Sequence, residues 1–337
     1  MKRIVSLLLV LLLVWTTMQA LGEEELQAEY DAADALCNEG KYEEALPLMQ
    51  AVAEKGYTRA MRALGYDYAM GYYTGGVPDI EMALSWYTKA ADLGDTDAMY
   101  GIGWLYDEGK VTDGVPERVQ ALIWWEKAAA GGNWAAMYAL GRHYAHNADP
   151  RDFDLSRKWL TDAFNAGYEV AGNSLGNHYA SGDFSGGTPD YAQALAWYQK
   201  AATAGHANSV GVVIDYLQKG VVAGDGTVVL EPDHAGLLEF LRAQWAQGST
   251  NTSVYDWLGW LLAGNSEAVE AEYPLAFEAY MAGANLGSGY CMAQLGMLYR
   301  DGRLGVTDPV AAAAWFTKAL DAGYDQAREM LDGLNAQ

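Results

Sequence analysis

Of the chain's 337 residues, 51% are apolar and 19% charged, and the formal net charge is −23. That much buriable surface excludes a disordered chain. The acidic balance repels phosphate backbones, so nucleic acid is not expected as a partner.

The first predicted element is an export signal. Lys2 and Arg3 precede an apolar run from Ile4 to Trp15, and small or polar residues (Thr16, Thr17, Gln19, Ala20) lead into the acidic run Glu23 to Glu25. This order reads as a secretory signal peptide over 1–22, cut after Gly22 or, as the second choice, after Ala20. An uncleaved anchor is the alternative. The run is shorter than the roughly 20 residues a spanning helix needs, and no later segment is long enough to cross a membrane. Cleavage removes Lys2 and Arg3 and takes the charge from −23 to −25. The expected location is secreted, periplasmic or cell-surface.

Residues 23–337 read as one repeat domain. Twelve-residue blocks ending in Gly recur: ALPLMQAVAEKG (45–56), ALSWYTKAADLG (83–94), ALIWWEKAAAGG (121–132), SRKWLTDAFNAG (156–167), ALAWYQKAATAG (194–205), LLEFLRAQWAQG (237–248), AFEAYMAGANLG (276–287) and AAAWFTKALDAG (312–323). Between them runs a second motif: AMRALGYDY (60–68), AMYGIGWLY (98–106), AMYALGRHY (136–144), AGNSLGNHY (171–179) and CMAQLGMLY (291–299), with decayed copies at 209–216 and 255–262. The repeats fall at about 29–56, 57–94, 95–132, 133–167, 168–205, 206–248, 249–287 and 288–323, with a cap over 324–337.

Each unit predicts two helices. Ala60, Leu64 and Tyr68 recur on one face of the first, and Ala83, Trp86, Tyr87, Ala90 and Ala91 do so on the second. Gly94 and its equivalents suit the left-handed position that ends a helix. Asp95 and Asn133 suit the N-cap of the next. Pairs such as Pro78-Asp79, Pro116-Glu117, Pro189-Asp190 and Asp308-Pro309 start the second helices, and Asp190 with Gln193 reads as a capping box. Trp86, Trp124, Trp159, Trp197 and Trp315 are expected to fill the space between layers. Cys37 and Cys291, near opposite ends, read as small buried residues. Residues 220–232 lengthen one repeat, and Asp225-Gly226 between valine runs predicts a small hairpin. The last helix, Gln326–Leu334 with Arg328, Glu329 and Asp332, reads as a polar cap.

The pattern A-x3-LG-x2-Y followed by A-L-x-W-Y-x-K-A-A-x2-G resembles the Sel1-like repeat, a relative of the tetratricopeptide class. The resemblance covers about 29–323. It departs from the pattern where the motif Gly becomes Val213 and where the Trp becomes Phe240 and then Ala279. It implies an all-α fold, an α-solenoid of about eight helix-turn-helix repeats that mediates protein–protein contacts as a scaffold or adaptor. Some cysteine-rich relatives are linked to β-lactam binding, but the cysteine pair in each of their repeats is missing here.

No catalytic residue stands out: a supported S-x-x-K, a P-loop and H-E-x-x-H are absent, and the letters G-x-S-x-G, which occur at 172–176, fall within the first-helix repeat motif AGNSLGNHY (171–179). His143 and His178 share a repeat position and His146 lies a turn beyond, which could suggest zinc. The same column also holds Asp67, Leu105, Asp215, Leu261 and Leu298, so it reads as a variable surface column; no metal and no cofactor are expected. The column one residue after the motif Gly reads Tyr66, Trp104, Arg142, Asn177, Ile214, Trp260 and Met297, opposite the Ala60–Leu64–Tyr68 face. Tyr100 and Tyr138 lie on the same side. Aromatics on a nominally exposed face predict a binding groove, with Tyr66, Tyr100, Trp104, Tyr138, Arg142, Asn177, Trp260 and Met297 as contact residues. Burial of these side chains by neighbouring turns is the alternative. Asn251-Thr252-Ser253 matches a glycosylation acceptor.

The expected role is an extracytoplasmic scaffold for a protein or peptide. Carbohydrate or cell-wall binding, with Trp104 and Trp260 stacked on sugar rings, is one alternative. A β-lactamase-like hydrolase is a remoter one.

Overall fold

The computed structural model describes residues 22–112 and 114–335. The expected signal segment, save its last residue, lies outside them. Among the described residues, helices follow one another through short turns: α1 over 22–38, then α2 Tyr42–Glu54, α3 Thr58–Met70, α4 Ile80–Asp92, α5 Thr96–Asp107, α6 Arg118–Ala130, α7 Trp134–Arg142 and α8 Phe153–Asn165 in a first compact unit ending at Tyr168. A second unit begins at Glu169 with α9 Glu169–Ser181, α10 Tyr191–Thr203, α11 Ala207–Lys219, α12 His234–Ala246, α13 Thr252–Leu262, α14 Tyr273–Asn285, α15 Gly289–Arg300, α16 Pro309–Asp321 and α17 Ala327–Asn335. The fold is all-α, a helix-pair repeat of the solenoid class. No helix among the described residues is long and apolar enough to cross a membrane.

The turn chemistry anticipated from the sequence is present. The closing glycines Gly56, Gly94, Gly132, Gly167, Gly205, Gly248, Gly287 and Gly323 all have φ between +71° and +103°, a conformation a Cβ would strain. Asp95 accepts from Ala98 N at 2.8 Å and Asn133 from Ala136 N at 2.9 Å. Asp79, Asp190 and Asp308 cap the second helices of their pairs in the same way, whereas Glu117 makes no side-chain cap bond.

Glycine also sets how closely the two helices of a pair approach. A Cβ placed on Gly65 would lie 2.6 Å from the Tyr87 ring, and on Gly103 2.5 Å from the Trp125 indole. Gly141 meets Leu160, Gly176 meets Tyr198, Gly259 meets Tyr280 and Gly296 meets Phe316 in the same manner. Each of these six first helices therefore offers a bare patch of backbone, and the second helix of its pair presses one large side chain against it. This column (Met49, Tyr87, Trp125, Leu160, Tyr198, Leu241, Tyr280, Phe316) is buried in all eight pairs. Where Val213 replaces the glycine, the partner position holds Leu241, and both are buried in one cluster; Leu160 opposite Gly141 shows that leucine also serves where the glycine is kept.

That arrangement corrects the expectation for the tryptophan column. Trp86 is buried, but Trp124, Trp159, Trp197 and Trp315 are only half-buried. They stand one residue before the buried column, and a 100° step along the helix takes them to its edge. A lysine ammonium covers each ring: Lys89 on Trp86 at 3.8 Å, Lys127 on Trp124 at 4.2 Å, Lys158 on Trp159 at 3.7 Å, Lys200 on Trp197 at 4.1 Å and Lys318 on Trp315 at 4.1 Å. In four of the five this is the lysine three residues after the Trp, while Lys158 directly precedes Trp159; each places its charge on the indole quadrupole and its stem over apolar surface.

Successive first helices are tied near their N-termini. Asn133 Nδ2 donates to Asp97 at 2.7 Å, Ser209 Oγ to Asn173 at 3.1 Å and Ser288 Oγ to Asp256 at 2.6 Å. Asn133, Ser209 and Ser288 are all buried, and these bonds satisfy them there.

The remaining features are local. The insertion forms an antiparallel hairpin, Val221–Val222 against Val228–Leu230, with Thr227 N donating to Asp225. The repeat over 133–167 leaves α7 through a π-helical segment, His143–Asn147. Helix α17 packs Met330, Leu331 and Leu334 beside Phe316 and exposes Arg328, Glu329 and Asp332. Both cysteines are free; Cys291 is buried as expected, but Cys37 is half-buried with its Sγ 3.4 Å from the Tyr73 hydroxyl.

Candidate partner-binding face and an aromatic pocket

In the first unit, the column after the motif glycine runs along α3, α5 and α7. Tyr66 and Arg142 are exposed, and Trp104 is half-buried with Lys110 Nζ 5.1 Å above its ring. Tyr66 meets Tyr72 edge-on, and Tyr72 stacks on Tyr42. Tyr100 is half-buried; burial raises its phenol above the ordinary value, with Arg142 acting against the shift and Asp107 and Glu108 adding to it. Tyr138 meets Tyr168 edge-on at 4.9 Å, and Tyr168 stacks on the exposed Trp134 at 4.4 Å.

In the second unit the same column is less uniform. Asn177 is exposed, yet its Oδ1 accepts from the Tyr198 hydroxyl at 2.7 Å. Ile214 is buried, and Met297 packs beside the Phe316 cluster. Trp260 is half-buried and lies on the wall of a pocket of about 380 Å³ lined by Asp256, Trp257 and Trp260 of α13 and Tyr290 of α15. The two indoles stand at 72° with centroids 5.3 Å apart. His234, bonded to Ser266 at 2.7 Å, meets Trp260 edge-on.

The exposed-column pattern does not single out Asp256, Trp257 or Tyr290. A signal exists all the same: the position two before the motif glycine holds Ala63, Gly101, Ala139, Ser174 and Gly211 in earlier repeats, and Trp only at 257. The glycosylation triplet falls at the start of α13, where the Asn251 side chain is spent on the cap.

The column holding His143 and His178 is not a surface column. Both histidines are buried, as are Leu105, Leu261 and Leu298. A first helix packs against its own partner and against the next first helix, so its buried arc is wider than a single stripe. His178 Nδ1 lies 2.8 Å from Asp183 with its ring stacked on Phe184. Burial lowers the His143 pKa and favours the neutral imidazole. Among the described residues no group of three His, Cys, Asp or Glu side chains is placed to hold a metal.

Asp67, in that same column, has a carboxyl pushed up to about 6 by burial, with the Tyr73 hydroxyl opposing and Asp34 adding to the rise. A folded-state pKa above the ordinary 3.8 means that the native state holds the proton longer than the unfolded chain. The contribution of this group to stability is therefore full below about pH 4 and is lost as pH rises through about 6. Asp67→Asn should raise the stability of the first unit at pH 7.5 by about 1 kcal/mol, allowing for partial solvation, and change nothing at pH 4. Paired thermal melts at the two pH values check this; an equal effect at both would remove the carboxylate as its cause.

The sequence profile of the Sel1 repeat matches residues 58–95, 96–133, 134–168, 173–206 and 289–324. No curated protein matches the chain. Among solved structures, it is similar to a protective antigen present in uropathogenic Escherichia coli strains and displaying an SLR fold. That likeness has 27% identity and a TM-score of 0.54, covering 86% of this chain and 59% of that one. The chain thus spans 59% of the length of that relative. It is also similar to a Sel1 repeat protein from Oxalobacter formigenes, with 23% identity and a TM-score of 0.48 over 87% of this chain and 99% of that one. The profile matches cover more than half of the chain and skip the units in which Val213, Phe240 and Ala279 break the pattern. With the glycine–aromatic contact recurring through both compact units, the chain belongs to the Sel1 repeat family, whose helical repeats are known as protein-interaction scaffolds.

Proposed function

We propose that the chain is an extracytoplasmic scaffold that holds a protein or peptide segment across the column face of its first-of-pair helices. The observation that carries this reading is the set of exposed Tyr66 and Arg142 and half-buried Tyr100, Trp104 and Tyr138 on α3, α5 and α7, aromatics and one arginine on helices anchored by their other faces. Such side chains dominate the energetics of interfaces because they bury large area at small entropic cost. Asn177, Trp260 and Met297 hold the equivalent repeat positions in the second unit. The export part of the proposal rests on the 1–22 segment; the G-x-S-x-G letters at 172–176 fall inside α9, where Ser174 Oγ donates to the Val170 carbonyl at 3.1 Å, and not on the strand-to-helix elbow that such a nucleophile needs.

Peptide and glycan arrays probed with the mature chain identify a ligand, and affinity is then compared across variants. Trp104→Ala is expected to weaken binding on the order of thirtyfold, and Tyr66→Ala less, while helicity stays nearly unchanged and melting falls no further than in Trp124→Ala. Trp315→Ala, a half-buried indole on a second helix, serves as the control. Binding that survives Trp104→Ala and Tyr66→Ala would remove this face as the site, and capture of a glycan alone would move the reading to carbohydrate.

A further inference from the structure

The pocket between α13 and α15 carries an inference of its own. Its walls are the indoles of Trp257 and Trp260, set at 72° to each other, and the phenol of Tyr290. Asp256 supplies the one charge in the lining. Ser288 Oγ and Cys291 Sγ both donate to Asp256 Oδ1, at 2.6 and 3.0 Å, while no described residue donates to Oδ2. One carboxylate oxygen is spent on holding the group in place and the other is left over.

We propose that this pocket binds a methylated ammonium group, with Trp257, Trp260 and Tyr290 as the aromatic walls and Asp256 as the counter-charge. Aromatic faces attract cations through their quadrupoles, and most strongly cations that shed water easily. A primary ammonium is compact and strongly hydrated, so entering a lining that is mostly aromatic strips it of more water than a trimethylammonium group loses. A trimethylammonium group has no donors to satisfy and buries its methyls against the rings. The volume of about 380 Å³ admits such a head with part of its tether and falls within the usual range for small-ligand sites. The acidic balance of the chain favours a cation at every approach. Trp257 stands in a column that is Ala, Gly or Ser in the five preceding repeats, so the helix pairing itself does not require an indole there.

The proposal is separate from the groove reading, because a small ammonium compound fills the pocket whether or not a partner lies along the column. Calorimetric titration of the mature chain uses three probes: choline, N-acetyl-trimethyllysine amide, and 3,3-dimethylbutan-1-ol, the uncharged isostere of choline. Saturable binding of at least one cation is expected, with the isostere weaker by about tenfold or more. A choline preference points to a small solute or headgroup, and a trimethyllysine preference to a modified protein side chain.

Trp257→Ala, which restores a small residue as in the five preceding repeats, should weaken the cation on the order of tenfold at unchanged helicity. Asp256→Asn keeps the Oδ1 acceptor and should weaken it several-fold while removing most of its salt dependence. Equal binding of choline and its isostere, no saturable binding of either cation, or full affinity in both Trp257→Ala and Trp260→Ala would each overturn the proposal. Loss of partner binding in Trp104→Ala with choline binding intact would separate the two readings.

Discussion

Trp125→Ala is expected to destabilise the first unit by about 3–5 kcal/mol, while Trp124→Ala, one residue earlier, costs only about 1–2 kcal/mol. The two side chains have the same chemistry and sit on the same helix; they differ in what they touch. Trp125 is buried against the bare backbone of Gly103, so truncation opens a cavity that neither helix can collapse into. Trp124 is half-buried under Lys127, and its removal forfeits edge packing and one cation–π contact. Chemical denaturation followed by far-UV circular dichroism reads both. Because stability in a repeat array is largely local, the Trp125 variant should show an early partial transition. Equal losses in the two variants would reverse the assignment of the buried column.

Gly103→Ala should also be destabilising, by about 2 kcal/mol, although Ala is the better helix former by about 1 kcal/mol. The added Cβ would lie 2.5 Å from Trp125 Cδ1 and Nε1 and 3.1 Å from the Ala121 carbonyl. Relief therefore needs either a new rotamer for a buried indole or separation of the helices. Gly211→Ala supplies the comparison. It is an exposed glycine inside α11 with nothing within 4 Å of where its methyl would stand, and there the substitution should stabilise by up to about 1 kcal/mol. Opposite signs for the two substitutions are the expected result; the same sign would mean that propensity, and not contact, sets the cost at position 103.

The helix pairs, their caps and the closing glycines were legible because each rests on local chemistry that the repeat prints eight times. The tryptophan column was misplaced for a specific reason. In W-Y, W-W and W-F pairs both residues lie near the apolar face, and periodicity alone does not choose between positions 100° apart. The glycine across the interface chooses, and that contact spans some twenty residues of sequence. His143 and His178 were misjudged as surface residues because variation along the column resembled exposure, whereas the first helices are covered on two sides. Of the pocket, Trp260 was legible as an outward aromatic. Trp257 and Tyr290 were not, since only the packing of α13 on α15 brings them together.

The glycine–aromatic contact has a consequence for how such a chain changes in length over generations. Both halves of each contact lie within one helix pair, so a segment of DNA encoding one pair carries its own complementary core. Copying or deleting such a segment leaves the glycine contact within every remaining pair intact, and only the contacts between neighbouring pairs have to be remade. The Trp257–Tyr290 pocket obeys the opposite rule, since its walls come from two successive pairs. Any repeat gained at the junction near Gly287 would part them, so a lineage that uses this pocket can vary its repeat number only elsewhere.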